Sequence, residues 1–468
     1  MTPDVTLSLR AGGALVFGGT PLRLLRLTPA GRRLALHLLT GAPVTSAAHG
    51  HMARRLTSAG MAHPVPPGCG DLTISAVVPV RDRPEALAHC LAALDLPTVV
   101  VDDGSGDPAA VRELCARHGA RLLRHDRARG PAAARNAALA RVGSDVVAFV
   151  DSDVVVSPQG LHRLLGHFAD PRVVAVAPRV APGGPAATVL ERFLAVRSPL
   201  DLGQRAALVR PGTAVSYVPS ACLLIRLAAL PGFDEALRFG EDVDVVWRLL
   251  AAEGIVRYDP SVRVAHAEPA TWPAALLRRH RYGMSAGPLA NRHGDQLTHF
   301  RLTLLPLVFA VSLVIAPPVV SFTVGGLAAA LTGRRLRRVG LPRADASRLV
   351  RQAFIGAVFG LGRYIGVLVP VLPIAALLPV RQRRRLAAVA LAPLLAEYLD
   401  RRPRLDPLRW VAVAAADDIA YASGVWRGCL QARSLRPLVP QIAFRPRLHR
   451  DRPPAPGGSP AGQEPDQP

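Results

Sequence analysis

The sequence predicts an α/β protein with a Rossmann-like, mostly parallel sheet, preceded by a small N-terminal unit and followed by an apolar helical region. Between positions 72 and 155, short apolar runs alternate with helical patterns, which is typical of parallel strands joined by crossover helices. The run Val146–Val150 ends in Asp151 and Asp153, and ligands of open α/β sheets bind beyond the carboxyl ends of the strands. Residues 302–333 carry no charged side chain, which predicts the apolar region.

Composition narrows the class of protein without deciding it. The 468 residues are enough for roughly two to four domains. A net charge of +23 suits a nucleic acid, an anionic membrane surface or an anionic substrate as partner. Five widely spaced cysteines without a C-x-x-C pair disfavour a structural zinc site or a disulfide framework and indicate a reducing compartment.

Residues 1–66 are predicted to form a small separate module. Two strands, Val5–Leu9 and Ala14–Phe17, are bounded by paired glycines. Helical patterns follow at Pro29–Leu39 and Thr45–Ala59, each shortly before a glycine. Two strands with two helices suggest a winged-helix-like module, and a structural N-terminal cap is the alternative interpretation. A linker rich in proline and glycine then leads to the second domain, predicted at 71–290.

Charged loops follow the strands of this second domain. Strands Leu72–Val80 and Thr98–Val101 each lead into such a loop, as Val146–Val150 does, and because the carboxyl ends of parallel strands meet at one edge, the loops are expected to converge. The carboxylates of Asp151 and Asp153 repel each other unless a cation or a proton lies between them. An oxygen-rich site suits Mg²⁺ or Mn²⁺, which usually bridge to a diphosphate. A solvated loop with a helix N-cap is the alternative interpretation.

Four short motifs occur in order along this domain. They are V-P-V-R at 78–81, V-D-D-G-S at 101–105, G-x-x-x-A-R-N at 130–136 and D-S-D at 151–153. As an ordered set they resemble family 2 glycosyltransferases with the GT-A fold, and the G-E-D-V-D run at 240–244 resembles the acceptor-side motif of that family. The resemblance covers about residues 72–285 and implies a metal-dependent hexosyltransferase that uses a nucleotide sugar.

The same resemblance implies which residues bind the donor and its metal. The residues implied to hold the donor nucleotide are Pro79, Val80, Arg81, Asp102, Asp103, Arg135 and Asp151. Asp153 and His266 are implied to bind the metal, Mg²⁺ or Mn²⁺, since a neutral imidazole is a plausible ligand beside a carboxylate. A purely structural role is the alternative for His266.

Catalytic roles follow from the resemblance as well. Asp242 is implied to be the catalytic base, because a carboxylate within hydrogen-bond reach of an acceptor hydroxyl can take its proton. Glu241 is implied to orient the acceptor, although acids at a helix N-terminus also act as caps. Arg279 and Arg281 are candidates for a phosphate clamp, with a basic helix face as the alternative.

A closer resemblance covers nearly the whole chain. It rests on L-R-L-T-P-A-G-R-R-L at 25–34, R-S-P-L-D-L-G at 197–203, V-S-Y-V-P-S-A at 215–221 and D-D-I-A-Y-A-S-G-V-W-R-G at 417–428. These runs resemble glycosyltransferases of mycofactocin biosynthesis. The resemblance implies UDP-glucose as donor, a small peptide-derived redox cofactor as acceptor, and inversion at the sugar carbon to build a short β-linked glucan.

Other functions stay open at this point. A membrane-associated glycosyltransferase could act on a lipid or polysaccharide acceptor, although the chain lacks the Q-x-x-R-W motif of processive polymerases. A nucleotidyltransferase would share the metal-binding acids but would not need the acids at 241–242 followed by His266. A winged-helix protein that binds nucleic acid is the third class. Because the positive charge is spread along the chain, no nucleic acid partner is predicted. The sequence does not indicate an oligomeric state.

The C-terminal third combines apolar runs with basic clusters. Residues 302–333 and 353–380 are apolar apart from Arg363, and arginine-rich segments follow each of them at 334–338 and 381–385. This pattern predicts helices at 300–400 that associate with the cytoplasmic face of the cell membrane, as a re-entrant hairpin or as a multi-pass protein, with an anionic membrane surface as partner. A buried helical subdomain is the alternative.

Two shorter segments complete the predicted chain. Residues 405–445 are expected to form a further helical segment. Residues 446–468 are polar and rich in proline and glycine, so a disordered tail is expected there.

Overall fold

The computed structural model describes residues 1–10, 13–19, 22–66, 68, 71–297, 301–338, 341–367, 375–443 and 449–450. The chain folds into two compact units, one of Met1–Val65 with Arg447–Pro468 and the other of Pro66–Pro446. The second unit contains the strand–helix alternation and every predicted site residue.

The N-terminal unit packs two helices against short strands. Its elements are β1 (Thr2–Pro3), β2 (Ser8–Arg10), β3 (Leu15–Gly18), β4 (Arg23–Arg26), α1 (Pro29–Leu39), α2 (Ala47–Ser58) and β5 (Ala62–His63). Strands β2, β3 and β4 form an antiparallel sheet, and β1 pairs with β5. The helices bury Ala35 with Leu38 and Met52 with Leu56, spacings of three and four residues that place each pair on one helix face. That this unit is a winged helix stays a prediction.

A nine-stranded sheet organises the second unit. Its strands are β6 (Ile74–Val80), β7 (Thr98–Asp103), β8 (Arg121–His125), β9 (Val146–Val150), β10 (Val154–Val155), β11 (Val173–Pro182), β12 (Ala207–Leu208), β13 (Cys222–Arg226) and β14 (Ile255–His266). The order is β10-β14-β11-β13-β9-β6-β7-β8, with β12 beside β14. Strands β6 to β9 pair in parallel, as the alternation predicts, and the α/β fold is confirmed. Antiparallel pairs of β13 with β9 and β11 extend the sheet in its second half, a feature that the sequence did not indicate.

The central strand β9 shows why this sheet forms. Its five residues are fully buried, because helices cover both faces of the sheet. Side chains alternate between the faces, so Val146, Ala148 and Val150 join one core cluster while Val147 and Phe149 join the other. A strand buried on both faces reads as a continuous apolar run, and β9 is such a run.

Eight helices accompany this sheet among the described residues. They are α3 (Pro84–Ala93), α4 (Pro108–Arg117), α5 (Pro131–Leu139), α6 (Pro158–Leu165), α7 (Val189–Arg197), α8 (Glu241–Ala251), α9 (Trp272–Met284) and α10 (Ala286–His293). The first four begin with proline, whose missing N–H and fixed φ angle suit the first helical position. Helices α3, α4 and α5 each begin four to six residues after the end of the preceding strand, so they follow directly on the loops at the carboxyl edge of the sheet.

The C-terminal region is helical. It contains β15 (Arg301–Thr303), α11 (Leu304–Ile315), α12 (Pro318–Arg338), α13 (Arg343–Val367), α14 (Val380–Arg401), α15 (Pro407–Gln431) and β16 (Gln441–Ala443), and β15 pairs in parallel with β16. The predicted tail, 446–468, lies outside the described residues except for β17 (His449–Arg450), which pairs with β4 in the N-terminal unit.

The prediction of membrane association at the cytoplasmic face, re-entrant or multi-pass, is wrong. Across the described parts of the chain, every helix is either too short or too polar to cross a bilayer. The apolar run at 302–333 is divided at Pro317-Pro318 into α11, which has only 12 residues, and α12, whose last turns carry arginines. The second run is interrupted by Arg363 in α13, and its residues 368–374 lie outside the described structure. The predicted anionic membrane surface depended on these spans and is withdrawn with them.

Candidate active site

A cavity of about 1180 Å³ lies where the ends of β6, β7 and β9 meet helices α8 and α9. All but one of the predicted site residues line it, namely Pro79, Val80, Arg81, Asp103, Arg135, Asp151, Asp153, Glu241, Asp242, His266, Arg279 and Arg281. Residues up to 202 positions apart (79 to 281) thus converge at one edge of the sheet, as parallel strands require.

Asp102 is the exception, and its neighbour Asp103 explains why. Side chains alternate across a strand, so only one of two adjacent residues at the end of β7 can face the cavity. Asp102 is buried, accepts a hydrogen bond from the Ser105 amide at 2.8 Å and pairs with Arg124. Asp102 therefore stabilises the loop after β7 through contacts within the protein and does not border the cavity.

Asp103 borders the cavity, and its carboxylate oxygens accept hydrogen bonds from other groups of the protein. They accept the backbone amides of Arg129 and Gly130 and His125 Nδ1, each at 2.8 Å. Burial alone would raise the pKa of Asp103, but the hydrogen bond from His125 and those from the two amides outweigh burial and hold the pKa below its usual range. Asp103 thereby fixes the turn at Gly130, whose φ of 98° suits glycine, directly before α5.

Arg135 on α5 joins two acids that come from different parts of the chain. Its guanidinium donates to Asp151 Oδ1 at 2.8 Å and to Glu241 Oε1 at 2.9 Å, and it lies 5.3 Å from the centre of the Phe233 ring. Only 2% of the residue is exposed. Burial would lower the pKa of Arg135, but the charges of the two carboxylates outweigh it and raise the pKa. A fixed positive charge therefore sits in the cavity wall.

Asp153 and His266 form one corner of the cavity. His266 Nε2 lies 3.7 Å from Asp153 Oδ1, because β10 places the end of the D-S-D loop against the last residue of β14. The other oxygen of Asp153 pairs with Arg83, a residue in the loop after β6. The two predicted metal-binding residues are thus adjacent, 113 positions apart in the chain.

Glu268 lies behind His266 and was not singled out from the sequence. Its Oε1 is 3.7 Å from His266 Nδ1 and accepts Ser198 Oγ at 2.6 Å, and its Oε2 pairs with Arg278. Burial would raise the pKa of Glu268, but His266, Arg278 and Ser198 together lower it to about 2. Glu268 is therefore a carboxylate on the side of the imidazole that faces away from Asp153.

The acids Glu241 and Asp242 open helix α8. Gly240 has a φ of 82°, and a Cβ there would lie 2.7 Å from Ser285 Cβ, so glycine is needed both for the turn and for the close approach of α10. Asp242 accepts the amide of Val243 at 2.8 Å and borders the cavity. Burial, and then the charge of Glu241, raise the pKa of Asp242 to about 7.

Arg279 and Arg281 lie on α9 and border the cavity. Arg279 Nε is 2.9 Å from Asp417 Oδ1 on α15, and its guanidinium lies 4.8 Å from the centre of the Tyr421 ring. Arg281 borders the cavity with an exposed side chain. Of the two predicted phosphate-clamp residues, Arg279 has its charge matched inside the protein.

Comparison with known proteins identifies the family. Residues 75–230 match the sequence profile described as glycosyl transferase family 2. Two curated relatives, both named pre-mycofactocin glycosyltransferase and both from Mycobacterium tuberculosis (strains CDC 1551 / Oshkosh and ATCC 25618 / H37Rv), are 37% identical over 462 residues, which covers 92% of this chain and 95% of each relative. The chain belongs to glycosyltransferase family 2.

Two solved structures show more distant similarity. A mannosyltransferase from Pyrobaculum calidifontis, in complex with GDP-Man and Mn²⁺, is 20% identical, with 85% of this chain and 98% of that chain covered and a TM-score of 0.45. TarS of S. aureus is 16% identical, with 60% and 55% covered and a TM-score of 0.35.

Family membership confirms that this protein is a glycosyltransferase with a GT-A-like α/β fold, rather than the alternative nucleotidyltransferase. The profile ends at residue 230, before the acids that open α8. In this family 2 glycosyltransferase, the regions that carry Glu241, Asp242, His266 and the whole helical C-terminal part therefore lie beyond the profile match.

The corner at Asp153 has the chemistry of a divalent-cation site. Among the described residues, no group of three or more histidine, cysteine, aspartate or glutamate side chains is placed to hold a metal. Mg²⁺ is commonly bound through one or two carboxylates together with substrate phosphates and water, and Mn²⁺ accepts carboxylate and imidazole ligands. A carboxylate and an imidazole at the cavity edge fit a cation that shares its ligands with a diphosphate.

Sequence reasoning missed three kinds of residue here. Arg83 was assigned no role, although its position in the loop after β6 is a signal. Glu268 is two residues beyond His266, a spacing that could have suggested a supporting carboxylate. Asp417 and Tyr421 are about 140 residues from Arg279, and only the packing of α15 on α9 brings Tyr421 to the cavity and Asp417 to Arg279.

Proposed function

We propose that this enzyme transfers glucose from UDP-glucose to a hydroxyl of the peptide-derived redox cofactor made in mycofactocin biosynthesis. The observation that carries the proposal is the 37% identity with two pre-mycofactocin glycosyltransferases across 92% of the chain. Similarity that extends through the N-terminal unit and the C-terminal helices favours a shared acceptor as well as a shared donor chemistry. Repeated transfer with inversion builds a short β-linked glucan.

The donor half of the cavity suits a nucleoside diphosphate. The side chains of Arg81 and Arg83 are 58% and 59% exposed at the rim, where guanidinium groups can reach phosphate oxygens. Arg135 supplies a buried positive charge beside Asp151, and Asp103 holds the turn that precedes α5. The residues that we assign to donor nucleotide binding are Pro79, Val80, Arg81, Asp103, Arg135 and Asp151. Asp102 is assigned instead to stabilising the loop after β7.

Asp153 and His266 are proposed to hold Mg²⁺ or Mn²⁺ against the diphosphate. The cation supplies charge neutralisation for the departing nucleoside diphosphate. Arg83 pairs with Asp153, and its exposed guanidinium is proposed to contact phosphate oxygens as well. Arg281, whose exposed side chain borders the cavity, is proposed to contact the same phosphates.

Transfer itself requires one proton acceptor. Asp242 is proposed to take the proton of the acceptor hydroxyl as that oxygen bonds to the sugar carbon and the bond from that carbon to the diphosphate oxygen breaks. The nucleoside diphosphate leaves with the bonding electrons. Attack by the acceptor in a single displacement, opposite the leaving group, inverts the configuration. The raised pKa of Asp242 suits a base that works near neutral pH.

Replacement of Asp153 by alanine is expected to abolish metal-dependent donor binding. Loss of a direct ligand should cost at least the roughly 10–100-fold in affinity that loss of a supporting residue costs. The measurement is calorimetric titration of UDP into protein with Mn²⁺ and, separately, with EDTA. Glu113→Ala, which removes an exposed carboxylate on α4, is the matched control. Equal Mn²⁺-dependent binding by the Asp153 variant and the control would exclude this role.

The proposed reaction is tested by incubating the enzyme with pre-mycofactocin and a panel of UDP- and GDP-hexoses in the presence of Mn²⁺. Mass spectrometry is expected to show products that grow by one anhydrohexose at a time with UDP-glucose. NMR of the product is expected to show β-anomeric linkages. Transfer from another donor alone would correct the sugar, α-linkages would correct the mechanism, and an unmodified acceptor with every donor would reject the proposed acceptor.

A further inference from the structure

Aromatic side chains surround the end of the cavity that holds Asp242. Tyr217, Tyr282, Tyr421 and Trp247 all border the cavity together with this carboxylate. Tyr217 precedes α8, Tyr282 lies on α9 and Tyr421 lies on α15, so three separate elements contribute phenol groups. The wall beside the proposed base is therefore built largely by helices that follow the matched family profile.

The position of Tyr421 is fixed by contact between helix backbones. A Cβ at Gly283 on α9 would overlap the carbonyl oxygen of Tyr421, and a Cβ at Gly424 on α15 would overlap the carbonyl oxygen of His280. Glycine at both positions lets α9 and α15 cross at a distance that any other residue would prevent. The Tyr421 ring is therefore placed by two packed helices.

Buried ion pairs also stabilise the contact between α9 and α15. Asp417, one turn before Tyr421, lies 2.9 Å from Arg279 Nε and 3.3 Å from Arg197 Nη1. The Arg279 guanidinium covers the Tyr421 ring at 4.8 Å, an arrangement favoured by the electron-rich face of the ring. Arg279 is thus a positioning residue for Tyr421, and its charge is already matched by Asp417.

Tyr217 is held on the other side of Asp242. The indole of Trp247 on α8 donates to the Ser216 carbonyl at 2.8 Å, which ties the loop that carries Tyr217 to the helix that carries Asp242. Burial, then the charge of Asp242 and the neighbouring phenols, raise the pKa of Tyr217. The phenol therefore stays protonated at neutral pH, as a neutral hydrogen-bond donor with an apolar ring.

We propose that Tyr217, Tyr282 and Tyr421 form the acceptor subsite, which takes an uncharged ring bearing the hydroxyl that faces Asp242. Aromatic faces pack against the flat face of an aromatic or pyranose ring, and phenol hydroxyls donate to its oxygens. The proposal rests on the proposed function for the position of the base, and it adds that the C-terminal helix α15 selects the acceptor.

The test compares acceptor binding with donor binding in Tyr421 variants. Full-length protein is saturated with UDP and Mn²⁺, so that no turnover occurs, and is titrated with pre-mycofactocin and with two probes, 4-nitrophenyl β-D-glucopyranoside and methyl β-D-glucopyranoside. Tyr421→Leu, which keeps an apolar side chain without the ring, is expected to weaken acceptor binding on the order of tenfold with unchanged UDP affinity. Tyr421→Phe is expected to lose only about two- to threefold, because the ring face is retained.

Tyr398→Leu serves as the matched control, since Tyr398 packs on Trp410 between α14 and α15 and does not line the cavity. It is expected to change thermal stability but neither binding constant. A Tyr421→Leu variant that matches this control in acceptor affinity would overturn the subsite. So would wild-type protein that binds UDP but none of the three acceptors. Binding of a glucoside but not of pre-mycofactocin would instead retain the subsite and reject the proposed acceptor.

Discussion

Replacement of Asp242 by asparagine is expected to abolish sugar transfer while UDP binding stays within about twofold of the wild-type value. Asparagine keeps the shape of the side chain and its hydrogen bond from the Val243 amide but cannot accept a proton. A general base contributes roughly 10²–10⁴-fold to a rate, so a residual rate below about one per cent is expected. Steady-state kinetics with UDP-glucose, together with calorimetry of UDP, separates the chemical step from donor binding.

The pH dependence of transfer gives this prediction a second readout. Because burial and Glu241 raise the pKa of Asp242 to about 7, the basic form is lost as the pH falls through that value. The wild-type kcat/KM is therefore expected to rise with pH up to about 7 and to level off above it. Glu253→Gln, an acid-to-amide change in the exposed turn after α8, should leave the profile unchanged. An active Asp242→Asn enzyme, or one that keeps the same acid limb, would contradict the assignment.

The Asp242→Asn substitution, which is expected to abolish activity, is expected to increase thermal stability relative to the wild type as the pH rises to neutrality. A carboxyl group whose pKa is raised by folding stabilises the protein fully below its ordinary pKa, and this contribution is lost as the pH rises through about 7. Asparagine does not ionise and avoids this loss. The thermal midpoint of the Asp242→Asn variant relative to the wild type is therefore expected to rise from pH 5 to pH 7 and to stay constant above pH 8.

Replacement of Arg135 by glutamine is expected to destabilise the catalytic unit by about 3–5 kcal/mol. Arg135 is the buried cation between Asp151 and Glu241, and its removal leaves two carboxylates facing each other with only solvent from the cavity to screen them. Since breaking a buried pair costs the desolvation of the remaining charge, the loss exceeds that of any surface pair. Donor binding should fall as well, because Asp151 then lacks its partner.

Urea unfolding followed by circular dichroism measures this effect, with Arg129→Gln as the matched control. Arg129 is 57% exposed and pairs with Glu235, so its substitution is expected to cost less than about 1 kcal/mol. Adding Asp151→Asn and Glu241→Gln to the Arg135 variant should restore part of the stability, since no charge then remains unpaired. Similar unfolding midpoints for the Arg135 and Arg129 variants would show that the bridge is not structural.

The parallel part of the sheet, and the edge at which the cavity lies, could be predicted from the amino-acid sequence. Alternation of apolar runs with helical patterns required crossover connections, and a run buried on both faces, β9, could only be a central strand. Since parallel strands end at one edge, Asp151 and Asp153 had to meet the loops after β6 and β7. The order of the motifs then identified the family that the comparisons confirm.

The sequence did not show which side chains of the motifs point into the cavity, and the structure was needed to decide this. Asp102 and Asp103 are equivalent in the motif, yet the two faces of β7 differ, and only Asp103 reaches the cavity. Likewise, Arg135 bridges acids 16 and 106 positions away, and Glu268 comes to lie behind His266, because of how the strands and helices pack. Local periodicity fixes which residues share a face, but not which partner that face meets.

The position of helix α15 beside the cavity is visible only in the folded chain. The sequence shows where an apolar run lies, but the number and length of the helices within it depend on the folded chain, and none of the described helices is long and apolar enough to cross a bilayer. The glycine crossing of α9 with α15 places α15 against the helix that carries Arg279. That packing brings Tyr421 to the cavity and Asp417 to Arg279, because backbone contact at glycine is a property of two helices together and of neither one alone.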